Sequence, residues 1–401
     1  MSLANNVEFL RRLPKLSAIN GFGHLGRNLR PGLRSPLVET KGFGANPGEL
    51  RMFSFVPDDV QRPPALVVVL HGCGQTAAAY DLGAGWSTLA KHYGFALLMP
   101  EQQLSNNASG CFNWFNPEDT TRGGGEACSI RQMIARMASE HKIDHRRIFV
   151  TGLSAGGAMT SVMLATYPDV FSGGAVIAGL PYGVASNVRE ALSGMFQSSS
   201  RPAAELGDLV RNASKHRGPW PKLSVWHGSA DRTVNPANAD EIVKQWLDVH
   251  GLPATPMSEG IVDGYPHQIW WNADGETIIE SYTITDMAHG TPLGTADNDE
   301  RYGAQGAFLI EAGISSSYHI ANFFGLTDWI NQPKVAAVES PSAKLVPVVS
   351  PLSVPTPDLS QVLWPLTTVN RRPEPPREPR RRAIDVGSVI TRALTAAGLM
   401  K

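Results

Sequence analysis

Residues 65–70 read ALVVVL, an unbroken apolar run about one strand long. A strand with one wet face alternates apolar and polar side chains. A strand with no polar position must be covered on both faces, as in a parallel sheet between layers of helix. Phe95–Met99 (closed by Pro100), Ile148–Thr151, Ala175–Ala178, Leu223–Trp226 and Ile278–Ile284 are further short apolar runs. Between them Ile130, Met133, Ile134 and Met137 fall at helical spacing. Residues 155–167 read as a helix stopped by Pro168, and Ile242, Val243, Trp246 and Leu247 mark another that ends at Gly251. This alternation predicts the α/β class, with a mostly parallel central sheet flanked by helices. Ile278–Ile284 is expected to be its last strand.

The alternation does not fill the chain. Of 401 residues, 1–44 read as a flexible basic arm, broken by Gly21, Gly23, Gly26, Pro31, Gly32 and Pro36. Eleven of the 30 prolines fall between residues 331 and 380, which makes 328–383 a proline-rich linker. Residues 384–401 carry Val386, Val389, Ile390 and Leu394 at the spacing of a short helix capped by Asp385. The compact domain is expected over 45–327, with 185–221 as a cap-like insert.

Several classes fall away at once. With 35 basic against 36 acidic residues, no whole-molecule field exists to draw nucleic acid or an anionic membrane. Three cysteines are too few for a disulfide scaffold and lack zinc spacing, so no metal site is expected. No apolar run reaches the ~18 residues of a membrane helix. Met1–Lys15 has no apolar h-region, which reads as cytoplasmic.

Gly152-Leu153-Ser154-Ala155-Gly156 sits between an expected strand and an expected helix. That is the context of a nucleophile elbow, where glycines permit a tight turn and the helix N-terminus offers N–H groups to an oxyanion. A serine nucleophile needs a base, and the base an acid. In this topology they follow in the order acid, then histidine. Asp231 lies just past the strand Leu223–Trp226, and Asp240 and Asp263 are weaker candidates. His289 lies just past Ile278–Ile284, while His227 at a strand end reads as structural. The oxyanion donors are assigned to the backbone N–H groups of Ala155 and Cys73, the latter in the loop after Ala65–Leu70.

Leu70-His71-Gly72-Cys73-Gly74-Gln75-Thr76-Ala77 resembles the oxyanion segment of the polyhydroxybutyrate (PHB) depolymerase family of esterases. Cys111-Phe112-Asn113-Trp114-Phe115, Gly125-Glu126, the run Val150–Thr160, Ala178–Gly183, His227–Asp231 and Met287–Gly290 resemble further segments of it. The resemblance spans about residues 45–325. It implies an α/β-hydrolase fold and carboxylic ester hydrolysis without a cofactor. It implies a small ester or polyester substrate, hydroxyalkanoate oligomers among them, and kinship with feruloyl and acetylxylan esterases. The resembling polymer-degrading proteins are exported, which leaves the location open against the N-terminal reading. Family segments carrying cysteines together suggest a Cys73–Cys111 disulfide; two free thiols are the alternative. Cys128 reads as a small buried residue. Trp114 and Phe115 are candidates for an apolar wall of the acyl site, or for core packing. A carbohydrate esterase and a non-catalytic protein that binds polymer granules are the competing functions.

Overall fold

The structure is a computed structural model that describes residues 34–60, 63–198 and 200–327. The proline-rich segment and the expected terminal helix lie outside these residues. In chain order the elements are β1 (Val38–Thr40), β2 (Arg51–Phe55), β3 (Leu66–Leu70), α1 (Ala77–Ala84), α2 (Trp86–Tyr93) and β4 (Ala96–Glu101). There follow α3 (Pro117–Thr120), α4 (Gly125–His141), β5 (Ile148–Leu153), α5 (Ala155–Thr166), β6 (Gly173–Ile177), α6 (Val188–Gln197) and α7 (Ala203–Asn212). The remainder is β7 (Lys222–Gly228), α8 (Ala237–His250), β8 (Ser258–Val262), β9 (Tyr265–Trp271), β10 (Thr277–Ile284), β11 (Thr291–Leu293), β12 (Leu309–Glu311) and α9 (Ser316–Phe323).

Among the described residues a 10-stranded sheet runs in the order β1-β2-β4-β3-β5-β6-β7-β10-β9-β8. The block from β4 to β10 is parallel, and antiparallel strands flank it on both sides. Successive side chains of β3 go to opposite faces, which is why the whole strand is apolar. Leu66, Val68 and Leu70 join one core with α4, α5 and α8, through Met133, Met159 and Trp246. Val67 and Val69 join the other with α1, α2 and α9, through Tyr80, Leu89 and Ile320. The strand order reverses between β3 and β5. The chain goes from β3 to β4 on one side, then crosses to β5 on the other. In open α/β sheets the crevice beyond the strand ends at such a switch is where ligands bind.

Two expectations are corrected. Val38–Thr40 falls within the segment read as an arm, yet pairs with β2 as the sheet's edge. A three-residue strand hemmed by Pro36 and Gly42 leaves too short a pattern to read. Ile278–Ile284 is part of β10 but not the last strand, because β11 and β12 follow as a separate parallel pair. The 185–221 insert contains α6 and α7. Its second helix is tied to α8, where Gln245 Nε2 donates to the Leu206 carbonyl and Arg211 pairs with Asp248 at 2.6 Å. Among the described residues no helix is long and apolar enough to cross a membrane.

Candidate active site

Three loops meet at the C-terminal edge of the parallel block. Ser154 follows β5 directly, with φ 57° and ψ −117°, a backbone that a side chain rarely adopts. The flanking glycines make that turn possible. A Cβ on Gly152 would collide with the Gly156 carbonyl, and one on Gly156 with the carbonyl oxygens of Leu70 and His71. The elbow is thus pressed against the loop after β3. Ala155 is the first residue of α5, so its N–H has no partner inside the helix. The Cys73 N–H makes no backbone hydrogen bond among the described residues.

Asp231 and His289, 58 residues apart, are brought into contact: His289 Nδ1 lies 2.6 Å from Asp231 Oδ2. The loop after β7 holds the carboxylate, since Oδ1 accepts the Thr233 and Val234 amides at 2.8 and 2.9 Å. The loop after β10 is held by the loop after β7 in turn, with the Ala230 N–H donating to the Met287 carbonyl. Burial works against the charge on Asp231. Hydrogen bonds from His227 and His289 outweigh it and hold the carboxyl well below the usual range. A carboxylate that stays ionised keeps the proton of His289 on Nδ1 and leaves Nε2 as the base. Ser154 Oγ makes no hydrogen bond among the described residues.

The other acids lie elsewhere. Asp240 is exposed in the first turn of α8, and Asp263, in the turn between β8 and β9, pairs with His319 Nε2 at 2.9 Å. His71 is no base: the Gln102 N–H donates to its Nε2 at 3.1 Å, so Nδ1–H donates to the Gly72 carbonyl at 2.8 Å. Burial lowers it to about 4.

Cys73 and Cys111 form a disulfide, S–S 2.10 Å, and Cys128 is free. Beneath the disulfide lies a network that the sequence did not reveal. Glu126 of α4 is fully buried and accepts from Gln102 Nε2, the Asn113 N–H and Asn113 Nδ2 at 2.5 to 2.8 Å. Gln102 Nε2 also donates to the Cys111 carbonyl at 3.0 Å. Trp114 is buried in the core, and half-buried Phe115 meets its ring edge-on at 5.5 Å.

A buried carboxylate–imidazole pair and a strained serine, at the C-terminal edge of an α/β-hydrolase sheet, are what a carboxylic ester hydrolase of the serine type requires. The comparisons with known proteins agree. The sequence profile described as Esterase PHB depolymerase matches residues 54–258. The chain is 47% identical over 291 residues to poly(3-hydroxyalkanoate) depolymerase C of Paucimonas lemoignei, covering 72% of this chain and 70% of that one. It is 35% identical over 263 residues to an acetylxylan esterase of Coprinopsis cinerea, covering 64% and 69% of the two. Among solved structures, an acetyl xylan esterase from Aspergillus awamori aligns with TM-score 0.61 at 25% identity, over 72% of this chain and 99% of that one. The chain belongs to the PHB depolymerase esterase family. Membership in a family of hydrolases leaves the binding-only reading without support.

Proposed function

We propose that Ser154, His289 and Asp231 are the nucleophile, base and orienting acid of this esterase, and that its substrates are esters of hydroxyalkanoic acids. The reading is carried by the short His289–Asp231 hydrogen bond, on loops at the same edge of the sheet as the strained Ser154. Ser154 Oγ attacks the ester carbonyl as His289 Nε2 takes its proton, and Asp231 stabilises the imidazolium that forms. The Ala155 and Cys73 N–H groups receive the negative charge on the carbonyl oxygen. As the tetrahedral intermediate collapses, His289 returns the proton to the leaving alcohol. Water, deprotonated by the same histidine, then attacks the acyl-serine and frees the acid. Phe115, half-buried against the Trp114 ring, borders the acyl site, and Trp114 supports it from the core.

The hydroxyalkanoate substrate rests on the similarity to the Paucimonas lemoignei depolymerase. A second reading, deacetylation or deferuloylation of plant polysaccharide, rests on the similarity to acetylxylan esterases. Turnover of a 3-hydroxybutyrate dimer and trimer, acetylated xylan and methyl ferulate by the purified chain separates the two. The hydroxybutyrate oligomers are expected to give the highest kcat/KM. Preference for either carbohydrate ester by tenfold would reverse the assignment. Ser154→Ala is expected to abolish turnover of all of them, and retained activity would refute the mechanism.

A further inference from the structure

His227 ends one residue before the close of β7, and its imidazole is 3% exposed. Its Nε2 faces two acceptors, the Val234 carbonyl at 3.0 Å and Asp231 Oδ2 at 3.2 Å. Neither can donate when Asp231 is ionised, so the proton sits on Nε2. Nδ1 is buried with no hydrogen-bond partner among the described residues, so no acceptor waits for a second proton. An orphaned buried nitrogen is costly. An apolar side chain would fill the space without that cost if packing were the only task. The group that accounts for a histidine here is Nε2–H.

Asp231 therefore has four N–H groups about it: the Thr233 and Val234 amides on Oδ1, His289 on Oδ2, and the His227 Nε2–H, 3.2 Å from Oδ2 and shared with the Val234 carbonyl. The amides fix one oxygen and the two imidazoles share the other. A neutral donor on Oδ2 sets the plane of the carboxylate without cancelling the charge that His289 needs on taking up a proton.

We propose that His227 is a positioning residue of the esterase. Its Nε2–H locks Asp231 Oδ2, which holds His289 in the tautomer and orientation that accept the Ser154 proton. The proposal rests on the triad assigned above, and the test separates the two.

The full chain is assayed with a p-nitrophenyl ester, and thermal unfolding is measured in parallel. His227→Leu and His227→Asn remove the N–H from the Nε2 position, whereas His227→Gln carries an amide N–H to it. The Leu and Asn variants are expected to lose about 10- to 100-fold in kcat, the range for one hydrogen bond to a charged group, with KM held within about twofold. The Gln variant is expected to recover most of kcat. If the Leu variant fails to fold, Asn against Gln still decides, because both carry the same amide on stems of different length. Wild-type kcat in the Leu or Asn variant, or a Gln variant as impaired as Asn, overturns the proposal. Ser154→Ala is run alongside. If it is inactive while the His227 variants keep full activity, the positioning role alone falls. If it is active, the triad falls and the positioning role with it.

Discussion

Gly156 shows how a residue without a side chain sets the geometry of the proposed active site. Its Cα faces the backbone of the loop after β3, and any Cβ would meet the Leu70 and His71 carbonyls. Those carbonyls belong to the segment that presents the Cys73 N–H. Gly156→Ala must therefore push the elbow away from that loop while most of the core stays as it is. The expected result is a fall in kcat of about 100-fold, the scale of losing one oxyanion donor, with an unchanged circular dichroism spectrum. Activity within twofold of wild type would mean that the two loops do not share the oxyanion. The positions of Ser154, Asp231 and His289 past the ends of β5, β7 and β10 were legible in the sequence, because each follows an apolar run that ends at one edge of the sheet. The contact of His227 with Asp231 was not. The two residues are four apart across a turn, and only the direction of the imidazole reveals the bond.

At the scale of elements, the parallel block was legible because strands buried on both faces carry no polar punctuation, as β3 shows. The flanks were not. β8 reads Ser-Glu-Gly-Ile-Val and is largely exposed, and β9 contains Pro266 and His267, so neither gives an apolar run or a clean alternation. The loop after β4 was visible only through the run Cys111–Phe115. The Cys73–Cys111 bond closes a separation of 38 residues and ties that loop to the one after β3. By loop-closure entropy a bond of this span stabilises the fold by about 4 kcal/mol. Cys73→Ser combined with Cys111→Ser is expected to lower the denaturation midpoint accordingly, whereas Cys128→Ser leaves it unchanged. Alkylation should add two labels only after reduction. Labelling of Cys73 and Cys111 without reductant would show that the pair is a dithiol, and the loss of stability should then vanish.

At the scale of the whole molecule, two buried carboxyls pull stability in opposite directions with pH. The Asp231 carboxyl is held below its ordinary value of 3.8, so its contribution is present above that value and is lost as acid protonates it in the folded chain. Glu126 behaves the other way. Burial first, then the nearby charge of Asp119, push it from 4.5 up to about 8, against the donors of Asn113 and Gln102. Between those pH values the folded chain holds a proton that the unfolded chain has released. Its contribution is therefore full below about 4.5 and declines as pH rises, until it is gone above about 8. Because Glu126 anchors the Cys111–Asn113 segment, the same titration reaches the loop tied to Cys73. Glu126→Gln removes the titrating group but keeps an acceptor for part of the network. Its Tm at pH 5 is expected to fall, because the amide nitrogen faces the Asn113 donors. The decline in Tm from pH 5 to 8 is expected to flatten relative to wild type. Thermal scans of both proteins across that range decide the matter. Parallel curves would mean that Glu126 is ionised in the folded chain throughout, and that its donors outweigh its burial.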